Sequence, residues 1–340
     1  MKITIGIIAR NEAKGIEATI EALSRQSLLK RGNAFDVVVV ANGCSDDTVV
    51  VSRAAFAACF NNSHVTSRVH ETDKAGKSRS WNLLIHEVAD QATDIYVLLD
   101  ADITFANGDA LSTVIDTLVA TPRAIVCSGW GLKDIANKPK KSLIDKLSLR
   151  ISADGEMLNS ISGGLYAGRG PELRQIWLPE PTPGEDGFLN AMVHTNRFLD
   201  APDIHRVCRA PSVTHFFEAH SVTGYVKHET RMMVGTAINR WLFEHFMALG
   251  HSVDAGRMIQ QYNQDRPGWV NHIVRERVKA SGKLAIPLAI PMRRLYLPTG
   301  TSFAKALLIY PPAVLATAFN LVPYVKANSV LTQKDAAGFW

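Results

Sequence analysis

The sequence predicts an α/β layer fold, a mostly parallel sheet flanked by helices, followed by a helical C-terminal region. Three observations carry that expectation. Up to about residue 130, short β-branched runs alternate with segments whose apolar residues recur at helical spacing. Each of those runs ends in a polar loop with its own character, and after about residue 220 the pattern turns helical. With 340 residues, 46% hydrophobic and 20% charged, the chain can bury one large domain with an appendage, which excludes disorder.

Strands are expected from Ile3 to Ala9, Phe35 to Ala41, His64 to His70, Asp94 to Leu99 and Ala124 to Trp130. Between them Ile16, Ile20 and Leu23 line one face of a helix, and Trp81, Leu84, Ile85 and Val88 line another. Further helices are expected from near Thr48, over Asn107 to Ala120, and around Phe188, Leu189, Met192 and Val193. Long amphipathic stretches then run from Val222 to Leu249 and from Ala255 to Ala280. In an open parallel sheet, ligands bind beyond the carboxyl ends of the strands, so the loops there are where chemistry belongs.

Several function classes drop out. A net charge of +5 without a long basic run does not describe a nucleic-acid binder; a membrane surface or a phosphorylated small molecule fits better. Cys44, Cys59, Cys127 and Cys208 lie far apart with no C-x-x-C pair, so neither a zinc site nor a disulfide framework is expected. The opening "ITIGIIA" followed by "RNE" is too short and wrongly flanked for a signal peptide. No Gly-x-Gly-x-x-Gly follows the first strand, which argues against a dehydrogenase, and no P-loop is present.

The loops themselves are specific. In "DAD", Asp100 and Asp102 can turn to the same side of a strand end and offer hard oxygens suited to Mg2+ or Mn2+; as plain structure the same acids cap the next helix. In "NGCSDDT", Asp46 or Asp47 can cap the helix starting near Thr48. In "KAGKSRSWN", Gly76 lets backbone approach a ligand, and Lys74, Lys77 and Arg79 are donors suited to a diphosphate. Glu185 and Asp186 in "PGEDGF" precede an apolar helix, where acids stabilise a first turn.

"RNE", "NGCSDDT", "KAGKSRSWN", "DAD" and "GED", in that order, resemble an inverting glycosyltransferase of family 2 with the GT-A fold, over roughly the first two-thirds of the chain. The resemblance implies sugar transfer from a nucleotide-diphosphate donor, a UDP-sugar favoured, with Mg2+ or Mn2+ as cofactor. It implies donor contacts from Ala9, Asn11, Glu12, Asn42, Asp46, Gly76, Lys77, Arg79, Asp100 and Arg231, and metal ligation by Asp102, with His215 of "VTHFF" as a further ligand or a core histidine. Asp186 is implied as general base with Glu185 beside it. Asn42 stands where the family more often has an acid. "HETRM" resembles the Gln-x-x-Arg-Trp motif of processive members but lacks its tryptophan, which points to single-sugar transfer.

The expected organisation is a catalytic domain over 1–217, a helical extension over 218–282 and an apolar, membrane-associated segment over 283–340. Within the last, residues 306–325 hold 20 residues without a charge but three prolines, so a span, an interfacial segment and a buried helix pair are all open. Arg293 and Arg294 would meet anionic head groups. Membrane attachment implies a lipid or lipid-linked acceptor and a place on the cytoplasmic face. The rivals are a nucleotidyltransferase of the same fold, against which "IARNEAKG" speaks, and a catalytically silent nucleotide-sugar-binding scaffold.

Overall fold

The computed structural model describes residues 1–339 except 32–33, 61–63, 143–144, 146–148, 150–158, 219–221, 283, 293–294, 296–302 and 334. The order is β1 (Ile3–Ala9), α1 (Ile16–Ser24), β2 (Phe35–Asn42), α2 (Thr48–Cys59), β3 (Val65–Thr72), α3 (Lys77–Leu83), β4 (Ile95–Asp100), β5 (Thr104–Phe105) and α4 (Ala110–Ala120). It continues with β6 (Val126–Ser128), β7 (Gly131–Lys133), β8 (Leu165–Arg169), α5 (Gly170–Leu173), α6 (Glu185–His194), β9 (Val207–Arg209) and β10 (His215–Phe217). The C-terminal region is helical: α7 (Val222–Ala248), α8 (Ala255–Asp265), α9 (Trp269–Ser281), α10 (Ala289–Met292) and α11 (Phe303–Leu331).

Seven strands form the central sheet in the order β3-β2-β1-β4-β8-β6-β9, all parallel except β8, which runs antiparallel between β4 and β6. A period of two sorts each strand's side chains onto opposite faces. Ile3, Ile5 and Ile7 of β1 with Val37 and Val39 of β2 join α1, α2 and α4 in one core; Val38, Val40 and Leu98 join Trp81, Leu84 and Phe188 in the other. Gly6 of β1 faces that second layer, where a Cβ would run into the Leu84 side chain. A small second sheet, β5-β10-β7, braces the loop after β4.

All five expected strands appear within two residues of their expected ends, the fifth shortened at both to Val126–Ser128. The 306–325 segment lies inside one continuous helix, α11, packed along α7, and its prolines do not divide it. No described helix is long and apolar enough to cross a membrane, so the spanning alternative is set aside. Arg293 and Arg294 lie outside the described residues.

Candidate active site

The carboxyl ends of β1, β2 and β4 converge with the start of α3 and the start of α6. Lys77, at the first position of α3, sits at the centre. Its ammonium lies 2.7 Å from Asp100 Oδ1 and 3.0 Å from Glu185 Oε1. Burial opposes its charge, but Asp100, Glu185 and Asp186 outweigh that and hold its pKa well above the usual lysine range. The lysine therefore ties the strand-end acids to the start of α6. Gly163, just before β8, makes room for this group, since a Cβ there would stand 3.2 Å from Lys77 Nζ and 3.5 Å from Asp186 Oδ2.

Asp186 shares a small enclosed pocket with Lys77, Trp81, Asp100, Tyr166 and Glu185. Its Oδ1 accepts the Gly187 N–H at 2.8 Å. Burial first, and then the Glu185 charge, push its carboxyl up to about 6, with Lys77 working in the opposite direction. Asp100 is likewise raised, by burial above all, against the pull of Lys77. Trp81 is core: it is buried and donates its indole N–H to Tyr166 Oη at 2.7 Å.

A second group of acids gathers at the end of β4. The Glu12 carboxyl is pushed up to about 7 by burial and then by Asp102, Asp100, Asp46 and Glu218. Strand register explains why Glu218 belongs here. Phe216 pairs antiparallel with Thr104 and His215 with Phe105, so the chain leaving β10 runs back toward the loop after β4, and both Asp102 and Glu218 act on Glu12. The same register places His215, expected as a further ligand or a core histidine. It lies three residues back, about 10 Å along the strand from the level of Asp102. Its ring is buried in a slot between Gly131 and Gly164, where a Cβ would come within 2.5 and 2.6 Å of Nε2. Nδ1 is 3.0 Å from Thr214 Oγ1, and burial followed by the Arg209 charge lowers the ring's pKa to about 4. His215 is thus a buried, neutral histidine, and Glu218 is a further acid that acts on Glu12 together with Asp102.

Asn42, expected at the donor site, holds the loops around it. Its side chain is fully buried, with Nδ2 donating to Ala9 O at 2.8 Å and Oδ1 accepting the Gly76 N–H at 3.0 Å. The amide staples three loops together. Asp46 is the helix-start acid: it accepts the Ala13 N–H and the Thr48 N–H, each at 3.1 Å, and these bonds with the Thr48 hydroxyl outweigh burial and lower its pKa. Asn11 accepts the Ser45 N–H at 2.7 Å from a left-handed backbone position, φ 58°. Ala9 is buried and acts through its carbonyl.

Arg79 lies one turn along α3 from Gly76 and pairs with Glu180 at 3.0 Å. Arg231 is on α7 and lines neither the Asp186 pocket nor the larger cavity beside Arg79. Sequence reasoning passed over three residues that build the site. Glu180 binds both Arg79 and Asn82; Asn239 of α7 donates to Gly184 O at 2.7 Å and fixes the turn before Glu185; Glu218 joins Asp102. None carries a local signal, because each acts across more than 50 residues of chain, and Glu218 in addition follows a strand of only three residues.

Among the described residues no three His, Cys, Asp or Glu side chains close around a point that could hold a metal ion. The hard oxygens at the β4 end instead suit an ion that keeps waters and phosphate oxygens among its ligands.

Residues 4–167 match the family described as Glycosyl transferase family 2. A search of curated proteins returns no significant match. Among solved structures, a mannosyltransferase from Pyrobaculum calidifontis in complex with GDP-Man and Mn2+ superposes with a TM-score of 0.52 at 18% identity, over 96% of this chain and 86% of that one. Glucosyl-3-phosphoglycerate synthase from Mycobacterium tuberculosis, in complex with Mg2+ and uridine-diphosphate, gives a TM-score of 0.48 at 17% identity over 70% of this chain and 79% of that one. The first of these likenesses establishes a shared fold.

Proposed function

We infer the reaction from the premise that residues 4–167 of the chain belong to glycosyl transferase family 2: the protein moves a single sugar from a nucleotide-diphosphate sugar to a hydroxyl acceptor, with inversion at the anomeric carbon. The observation that carries this reading is the Lys77 ammonium between Asp100 and Glu185, which brings the donor-side loops and the Asp186 helix into one cluster. Asp186 is the general base. Buried and raised to about 6, its carboxylate is ionised at neutral pH yet basic enough to take the proton of an attacking hydroxyl. The Gly187 N–H fixes one carboxylate oxygen and leaves the other for the acceptor. Asp100 and Glu12 line the donor side, with Lys77 and the glycine-flanked start of α3 closest to the diphosphate.

Asp102, with Glu218 beside it, would hold a Mg2+ or Mn2+ ion. The fit lies in the acid set around Glu12, whose mutual repulsion a cation relieves. Such an ion supplies positive charge to the leaving diphosphate. The test of the whole reading is a thermal-shift panel of UDP- and GDP-sugars with Mn2+ or Mg2+. A stabilisation by at least one of them that requires the metal is expected, and a flat panel refutes the reading.

The finer proposal is peripheral attachment to the cytoplasmic face of a membrane and a lipid-linked acceptor. It is supported by the outer face of α11, where Tyr310, Val314, Leu321, Val322 and Val325 are 42% to 63% exposed. Pelleting with anionic lipid vesicles is expected, and the pair Val322→Glu and Val325→Glu should abolish it. Equal recovery of both proteins in the supernatant would place the acceptor in solution instead.

A further inference from the structure

A cavity of about 390 Å³ opens between the catalytic half of the chain and its C-terminal region. Arg10, from the loop after β1, and Arg79 of α3 form one side; Thr182 and Pro183 form the turn that leads into α6; Asn271 of α9 and Phe339 close it from across. Two arginines thus line one space together with a single carboxylate residue, Asp335, which accepts from Asn271 at 2.7 Å, and the arginines' remaining donors differ. Arg79 gives Nε to Glu180 at 3.0 Å and one terminal nitrogen to Ala75 O at 3.2 Å, which leaves the other nitrogen uncommitted. Arg10 is partly buried and, among the described residues, has no hydrogen-bond or ion-pair partner. A partly desolvated arginine keeps its charge and five N–H donors, and what satisfies it best is an anion with oxygens in a plane or tripod, a phosphate above all.

The donor's own diphosphate does not meet this description. Its charge belongs with the metal at Asp102, and none of Glu12, Asp100, Asp102 or Glu218 lines the cavity, which meets the donor side only at Gly76 and Arg79. What the cavity does adjoin is the base: Pro183 stands three residues before Asp186, within about 10 Å of extended chain. A molecule anchored by the two arginines can therefore present a hydroxyl to that carboxylate from beside the start of α3, whose Ala75 and Gly76 line the same cavity.

On the glycosyltransferase reading above, we propose that this cavity is the acceptor site and that the acceptor carries a phosphate group, held by Arg10 and Arg79 with its hydroxyl toward Asp186. The phosphate can belong to a soluble small molecule or to a lipid head group. Arg10 is the residue to change, because among the described residues its side chain has no hydrogen-bond or ion-pair partner whose loss would disturb the fold.

The test is calorimetry on the full chain. UDP and GDP are titrated first with Mn2+; if neither binds, the glycosyltransferase reading fails whatever follows. Inorganic phosphate is then titrated into the protein saturated with whichever nucleotide binds. Phosphate binding that Arg10→Ala weakens at least tenfold and Arg10→Lys partly restores is expected, with nucleotide affinity in Arg10→Ala within twofold of the parent. Phosphate binding indifferent to Arg10, or displaced by the nucleotide, overturns the proposal. A second arm compares pelleting with vesicles that contain or lack phosphatidic acid. An Arg10-dependent gain on phosphatidic acid supports the proposal with a lipid phosphate as source, whereas phosphate binding without that gain supports it with a soluble one.

Discussion

Asp186→Asn lowers the rate of sugar transfer by roughly 10²- to 10⁴-fold, the range a positioned general base contributes, while nucleotide binding in the presence of metal stays within twofold. The amide keeps the shape of the carboxylate and can still accept the Gly187 N–H. Packing of α6 is therefore preserved and the loss falls on proton transfer alone. The pH profile provides an internal control. An acid whose pKa is raised works as a base only above that value, so kcat should climb as pH rises through about 6 and level off beyond it. The residual activity of the variant should lack that limb. Full activity in Asp186→Asn would move the base to another carboxylate, of which Glu185 is adjacent.

Asp102→Ala removes the metal-dependent part of nucleotide binding. Loss of even an outer contact to a bound metal costs about 10- to 100-fold in affinity, and a direct ligand costs at least as much. Titration of the nucleotide with and without Mn2+ should give the same weak affinity for the variant, where the parent gains at least tenfold from the metal. His215→Ala provides the contrast. Truncating a ring packed between Gly131 and Gly164 should lower the melting temperature but leave the metal-dependent gain unchanged. A His215→Ala protein that loses the gain would return the histidine to the ligand set.

The sheet was legible wherever a strand was long and its loop polar. Runs such as "ITIGIIA" and "FDVVVVAN" are buried almost end to end, so their composition alone announces them. The small second sheet was not legible, because β5 has two residues and β7 and β10 three each, too few for any period to register. Without that sheet the approach of Glu218 to the acids around Glu12 was invisible, and His215 was read from its ligand-like chemistry alone. Asn42 illustrates a different limit. An amide at a loop start reads equally well as a ligand contact or a staple, and only the approach of Ala9 and Gly76 decides between them. The Asp186 motif was legible from sequence order, while the lysine that joins it to Asp100 was read as a phosphate donor because its two carboxylate partners lie 23 and 108 residues away.

The position of β8 has a consequence for how the protein can be cut. Strand β8 inserts between β4 and β6, and Gly164 O accepts the Asp100 N–H at 3.0 Å. The family match ends at residue 167, inside this five-residue strand. A fragment trimmed to the matched boundary would keep half of the strand and leave the hydrophobic "IYVLLD" run of β4 with unpaired backbone at its margin, a template for intermolecular pairing. During synthesis the same hazard holds until residue 169 has emerged, so solubility of the nascent chain, and not only catalysis, depends on the late arrival of one short antiparallel strand.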